Sequence, residues 1–408
     1  MSSSGELRRF LRDLLPAGLR ASYHRYALQR DFGIEVSTGE RRRAALDRTL
    51  PRGLNVIGYF DSPTGVGQSA RALSRAAEVA GLPVSRIDAA RLETSRPAVP
   101  GYAANLYHVN ADAAAPVVEM GGPALHRGHA NVAYWYWETE TFPKRWTDRF
   151  AYFDEVWVAS EFCRLAVSRV SPIPVAVVAP PVLLEAAAAA ADRSRPDGPF
   201  RFLTICDASS GVERKNPLGA VRAFARAFPA DRRVLLSVKV ANAESAPGLL
   251  DSLRRAAGTA NVEIDPGRAT RREIENVLAN CDAYVSLHRA EGFGFPIAEA
   301  MLLGQPVVAT DYSGSRDFVD EAVGFPVSFR LVELDSAAGP YDAGTRWADP
   351  DEEEAAAAMR RVVEDLPEAR RRAEVGRRRI ASRYGVEAAA RRVLERVETL
   401  TARLAARP

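Results

Sequence analysis

The feature that most limits what this 408-residue chain can fold into is an alternation that runs, stops and starts again. From residue 54, short β-rich runs are separated by helical stretches. "LNVIGYF" (54–60) reads as a strand, "DSPTGVG" as a glycine turn and "QSARALSRAAEVAG" as a helix closed by Gly81. Further strands are predicted at "ANLYHVN" (104–110), "NVAYWYW" (131–137), "EVWVAS" (155–160) and "PVAVVAP" (174–180). Then "LEAAAAAADRSRPDGP" (184–199) breaks the pattern with alanine, polar residues, proline and glycine. The alternation resumes at "FRFLTICDASS" (200–210) and passes through a helix from Asn216, the strands "RRVLLSVKV" and "NVEI", and a helix opening at Thr270 with Glu273 three residues on, the pattern of a capping box. It continues through "CDAYVSLH" and "QPVVAT", and from Asp349 the chain reads as mostly helical. Strands alternating with helices build parallel sheets. Two doubly wound α/β domains therefore face one another, with ligands expected in the cleft outside the carboxyl ends of the strands.

The predicted boundaries are a basic amphipathic extension over 1–50, a first domain over 51–184, a linker over 185–199, a second domain over 200–383 and a closing helix over 384–408 with room to return to the first domain. In the extension, Leu7, Phe10, Leu11, Leu14 and Leu15 recur at helical spacing opposite Arg8, Arg9 and Arg12. Such a stripe suits either packing on its own domain or an anionic membrane surface, and both readings stay open. No segment has the roughly 18 uninterrupted apolar residues of a membrane span, and the first residues lack the apolar core and cleavage site of a signal peptide. Cys163, Cys206 and Cys281 lie far apart, which fits a reducing cytoplasm and argues against a disulfide framework or a cysteine-built zinc site. With 55 basic against 52 acidic residues, nothing points to nucleic acid.

The chemistry concentrates in "EGFGFPIAE" (291–299), where a strand is predicted to end and a helix to begin. Glu291 falls on the loop and Glu299 in the first turns of the helix. A carboxylate accepts two hydroxyl hydrogen bonds at once and so suits the vicinal diols of a sugar or ribose. Gly292 and Gly294 allow close approach of the backbone, and the helix start favours a phosphate. Arg214 and Lys215, in "DASSGVERKNPLGAVRAF", fall on the loop after strand 201–206 at the same edge of the same sheet. Two acids for hydroxyls and two cations for a diphosphate describe a nucleotide-sugar site.

On the first domain, "TGVGQSAR" places Gly65 and Gly67 between a strand and a helix, where amides can face phosphates or an acceptor, or where the pair is a plain tight turn. His108 and Asn110 end a predicted strand and are expected to point towards the cleft. Glu138 and Trp137, in "WYWETETFP", are acceptor candidates, although Trp135 and Trp137 share a strand face and one or both suit a core. His288 lies beside the glutamate motif by sequence alone. No D-x-D motif sits on a loop of the sugar site, so no metal is expected.

"HRAEGFGFPIAEAMLLGQPVVATDYSG" closely resembles the donor-site signature of the retaining GT-B glycosyltransferases of family 4 (glycosyltransferase group 1), and "ERKNPLGAVRAFARAF" resembles that family's basic motif. "GVGQSAR", "YHVNAD" and "YWYWETETFPKRW" with "FDEVWVAS" look like a bacterial branch associated with polysaccharide assembly, so that the likeness spans about residues 54 to 325. The resemblance implies a GT-B fold and a retaining, metal-independent hexosyl transfer from a UDP-, GDP- or dTDP-sugar to a hydroxyl of a glycan or lipid-linked glycan, in the cytoplasm or at the inner face of the membrane. It sets Glu291 against the donor sugar and Glu299 on the ribose. Amides of Phe293, Gly294 and Phe295 help hold sugar or phosphate, and Arg214 and Lys215 neutralise the diphosphate. Many members carry a further arginine where this chain reads "CDASS"; Ser209 and Ser210 stand in its place. His108 matches a polar or histidine position that contacts the donor sugar in relatives. The competing readings are an acceptor that is a small natural product, an epimerase on the same scaffold, and a non-catalytic GT-B subunit, against which all four donor-site charges argue. A phosphorylase-like reading fits a chain this short poorly.

Overall fold

The computed structural model describes residues 26, 28–37, 40–42, 45–62, 64–92, 101–184 and 198–406. The amphipathic stripe at Leu7 to Leu15 and nearly all of the predicted linker lie outside them. A short antiparallel pair, β1 (Glu35–Ser37) and β2 (Glu40–Arg42), precedes the first domain. That domain is a parallel sheet of β3 (Leu54–Gly58), β4 (Val84–Asp88), β5 (Ala104–His108), β6 (Ala130–Trp135), β7 (Glu155–Val158) and β8 (Val175–Val177), in the order β4-β3-β5-β6-β7-β8. The second is a parallel sheet of β9 (Phe200–Asp207), β10 (Val234–Ala241), β11 (Val262–Asp265), β12 (Ala283–Ser286), β13 (Val307–Thr310) and β14 (Phe325–Val327), in the order β11-β10-β9-β12-β13-β14. The reversal of order beside the first strand of each sheet makes the crevice in which such folds hold ligands.

Local sequence explains the elements. β3, β5 and β6 are buried along their whole length, as strands covered on both faces must be, hence their continuous apolar runs. Polar exceptions are paired: Asn55, Asn105 and Asn131, in register on β3, β5 and β6, pass side-chain hydrogen bonds of 2.9 Å from one to the next. The Thr270 capping box forms as the spacing predicts. Asn216, left-handed at φ +51°, caps helix Pro217–Ala227 by accepting from the Gly219 N–H at 3.0 Å. That helix buries Phe224 against Phe202 and Phe228; truncating Phe224 to alanine is expected to cost about 3–5 kcal/mol.

The tail consists of helices Glu352–Glu364, Leu366–Tyr384 and Val386–Ala405. The last packs on helix Gly65–Val79 of the first domain. Its Arg396 and Arg403 pair with Glu155, fully buried at the start of β7. Between β14 and these helices comes an element that no sequence pattern above predicted: an antiparallel hairpin of β15 (Phe329–Glu333) and β16 (Arg346–Pro350).

Candidate active site

A cavity of 1540 Å³ opens between the two domains at the carboxyl ends of both sheets. On its second-domain wall, the loop leaving β12 carries Glu291, whose N–H donates to Ser313 Oγ at 2.8 Å. The Lys215 ammonium donates to Glu291 Oε1, and Arg214 Nη1 lies 3.3 Å from Oε2. Arg214 is itself fixed by the carbonyls of Ala290 (2.8 Å) and Ser210 (3.1 Å). Burial pushes the Glu291 carboxyl upward, but Lys215, Arg214 and His288 together outweigh it and hold the group at about 2. Glu291 is thus an ionised acceptor at any physiological pH, not a proton donor.

Glu299 lies on helix Phe295–Leu302, which starts after Gly294 at φ +93°, a conformation that favours glycine. Its side chain is fully buried and held by Arg271 and Gln68. Burial raises its pKa, against the opposing pull of Arg271 and Gln68. His288 is a buried brace. Its ring nitrogens lie 3.1 Å from Ser286 Oγ and Tyr312 O, and burial lowers its pKa.

The opposing wall is partly borrowed. The hairpin leaves the second domain and reaches the first. Tyr341 donates to Glu138 Oε2 at 2.9 Å, Arg346 to Glu140 at 3.0 Å, and Arg145 to Asp342. The Tyr341 ring lies 5.3 Å from Trp137 and 6.2 Å from Trp347, closing one end of the cavity with aromatic surface.

Of the residues singled out by sequence, Glu291, Lys215, Arg214, Glu299, Phe293, Gly294, Phe295, Gly65, Ser209, Asn110, Glu138 and Trp137 all line this cavity. Several do so with their side chains already committed. Ser209 Oγ donates to Asp207 at 2.7 Å, Asn110 Oδ1 accepts from the Tyr136 N–H, and Trp137 is a core residue with its Nε1–H on Thr141 O. Phe293 packs among Phe295, Phe318 and Tyr384.

Two expectations need correction. His108 does not point into the cleft. Alternation along β5 sends it under helix Gly65–Val79, where it stacks on Tyr134 at 4.5 Å with Nε2 2.9 Å from Ser69 Oγ. Burial drives its pKa down to about 3, so the ring is neutral. Gly67 is likewise behind the wall. A Cβ there would stand 2.4 Å from Ser62 O, so this glycine serves the packing of the turn.

Sequence reasoning missed Gln68, Tyr136, Arg271, Arg289, Tyr341 and Trp347, which also line the cavity. Gln68 and Arg271 each sit in the first turn of a helix opening towards the cleft; that position was the available signal. The hairpin residues carried none. Among the described residues, no cluster of three or more His, Cys, Asp or Glu is arranged for a metal ion, and no helix is long and apolar enough to cross a membrane.

A family model described as family 4 glycosyltransferase in conflict systems matches residues 157–393, more than half of the chain. The chain belongs to this glycosyltransferase family. No curated protein matches it in sequence. Its backbone is similar to that of Anabaena HepE, crystallised with UDP-glucose, at a TM-score of 0.62 and 15% identity over 86% of this chain and 100% of that one. Sucrose-phosphate synthase from Thermosynechococcus elongatus gives the same values. The pneumococcal O-GlcNAc transferase GtfA, in complex with UDP and GlcNAc, aligns at a TM-score of 0.53 and 14% identity over 73% of this chain and 56% of that one. At such identities the likeness concerns the fold, which in this family 4 glycosyltransferase is the two-domain GT-B arrangement.

Proposed function

We propose that this protein transfers a hexosyl group, with retention of configuration, from a nucleotide diphosphate sugar to a hydroxyl of a glycan or lipid-linked glycan. The observation that carries the reading is the second-domain wall, where Glu291 and Glu299 stand ionisable and buried beside Arg214, Lys215 and Arg271 at the mouth of one sheet. The structural relatives crystallised with UDP, UDP-glucose or GlcNAc support the choice of donor class.

In this reading Glu299 accepts the ribose hydroxyls and Glu291 those of the donor sugar. The bond from the anomeric carbon to the phosphate oxygen breaks while the acceptor oxygen bonds to the same face. The acceptor proton passes to the departing phosphate. Charge building on the diphosphate is met by Lys215, Arg214 and the first turn of helix Phe295–Leu302, preorganised donors of the kind that contribute most to such reactions. Phosphate charge is handled by side chains, so transfer is proposed to proceed without metal. The acceptor is proposed to meet the cavity surface lined by Asn110, Glu138 and the edge of the largely buried Trp137. A role in surface polysaccharide synthesis, at the inner face of the membrane, rests on the sequence likeness of residues 65–160 and on Arg8, Arg9 and Arg12 opposite the apolar stripe of Leu7 to Leu15.

The test is thermal stabilisation by UDP, GDP and dTDP in EDTA, for the wild type and Glu299→Ala, followed by incubation of the stabilising nucleotide's sugars with glycan acceptors. A ligand at about a hundred times its Kd adds roughly 2.7 kcal/mol. Stabilisation of the wild type alone supports the site. No stabilisation by any of the three overturns it and moves the non-catalytic subunit to first place.

A further inference from the structure

Glu299 is more fully engaged than a waiting ribose site needs to be. An ionised carboxylate offers about four acceptor positions. Gln68 Nε2 donates to Oε1 at 2.7 Å, Arg271 Nη2 to Oε1 at 2.7 Å and Arg271 Nη1 to Oε2 at 3.1 Å. Three positions are thus occupied, while a ribose diol brings two donors. One existing partner has to leave. The two differ in kind. Arg271 is charged, grips both oxygens and is braced through Nε by the buried Glu275 at 2.8 Å, on the same helix. Gln68 is neutral, makes a single bond and comes from the opposite domain.

We propose that Arg271 is the fixed partner that positions Glu299 for the ribose of a nucleotide, and that Gln68 is a placeholder which the ribose displaces. The inference rests on the nucleotide-sugar reading above. In the empty site Gln68 satisfies a buried acceptor that would otherwise be costly to leave unpaired. When a nucleotide enters, one of its hydroxyls takes over that bond, and the helix Gly65–Val79 loses this tie to the opposite wall. Arg271 stays throughout. The titratable groups facing Glu299 are Arg271 and Glu275 from their helix and Tyr284 from β12, with Arg71 adding positive field at Arg271. Burial raises the Glu299 pKa and Arg271 is its strongest counterweight, so without Arg271 the carboxyl rises further and protonates more readily.

The two residues therefore have opposite signs, which one experiment reads. UDP, GDP and dTDP are titrated calorimetrically into the full chain, and the tightest is carried into the variants at several pH values. Gln68→Leu is expected to tighten binding about two- to ten-fold, and Arg271→Ala to weaken it at least about tenfold. In Arg271→Ala the affinity also falls as pH is lowered, with a midpoint above that of the wild type, because a protonated Glu299 no longer accepts both hydroxyls. Arg271→Lys keeps the charge but loses the fork, and its intermediate affinity is the check should the alanine variant fold poorly. Weaker binding in Gln68→Leu, or a wild-type affinity and pH profile in Arg271→Ala, overturns the inference. Glu299→Ala separates the levels. If it binds nucleotide as well as the wild type, the ribose site itself is wrong; if it loses binding while the other variants behave like wild type, only the division of labour falls.

Discussion

The two walls of the cleft are built on different principles. On the second-domain wall, Glu291 meets Arg214 and Lys215 within one domain, and Glu299 meets Arg271 in the same way; these groups are held before any ligand arrives. The facing wall has few such internal pairs. Glu138, which lines it, and Glu140 and Arg145, outside the cavity, find their partners on a hairpin that crosses from the other domain. One wall is a charged site whose ion pairs lie within its own domain, with Gln68 and Ser160 reaching it from across the cleft; the other is a surface completed by a hairpin from the opposite domain. In the proposed reaction, charge that must be ready for a leaving diphosphate belongs on the first. On the second, the ion pairs of Arg346 with Glu140 and of Arg145 with Asp342 are partly exposed and individually weak, while Tyr341 is buried.

The largest test of this difference is Glu291→Gln. Removing one member of a buried pair leaves Arg214 uncompensated and is expected to lower unfolding free energy by about 3–5 kcal/mol at neutral pH. Because the carboxyl is depressed from 4.5 to about 2 in the fold, its stabilisation is complete above 4.5 and disappears as pH falls towards 2. Denaturant melts of both proteins across that range should converge at the acid end, and a gap that persists there would contradict the charge assignment. Next comes Lys215→Ala, with an expected fall in transfer of about 10²–10³-fold and a melt showing that the protein still folds. Full activity would remove the lysine from the diphosphate.

The facing wall should respond less. Tyr341→Phe breaks the bond to Glu138 and is expected to cost about 1.5 kcal/mol of stability. It should raise the KM for acceptor glycans while leaving nucleotide affinity alone; a change in nucleotide affinity would mean that the hairpin serves the donor. Smallest is Arg346→Ala, half-exposed and paired with Glu140, which should stay within about 0.5 kcal/mol of wild type. If Arg346→Ala matched Glu291→Gln, the contrast between the walls would collapse.

What could be read from sequence follows the same division. Thr270 with Glu273, Gly81 after its helix, and the apolar runs of β3, β5 and β6 are local signals, and local physics realises them. "EGFGFPIAE" gave both carboxylates because a strand–loop–helix turn places them by chain connection alone. The hairpin escaped notice because β15 alternates little and stays largely exposed, and because its strands are held by each other and by a distant domain. His108 departs from its sequence expectation because a place at a strand end carries no information about the helix that covers it. Gln68 and Arg271 looked like ordinary residues in first helical turns.

By itself, then, the sequence determined two α/β domains, the edge of the sheet at which the cavity opens, and the acids and cations on one side of the cleft. Each follows from side-chain periodicity, caps and turns that act over a few residues. The tertiary structure alone decided which carboxylate each cation serves, that Glu299 is held across the cleft from a position 231 residues away, and that Tyr341 meets Glu138 at a separation of 203. Such contacts depend on how the two sheets are packed and turned towards each other, and no spacing along the chain carries that information.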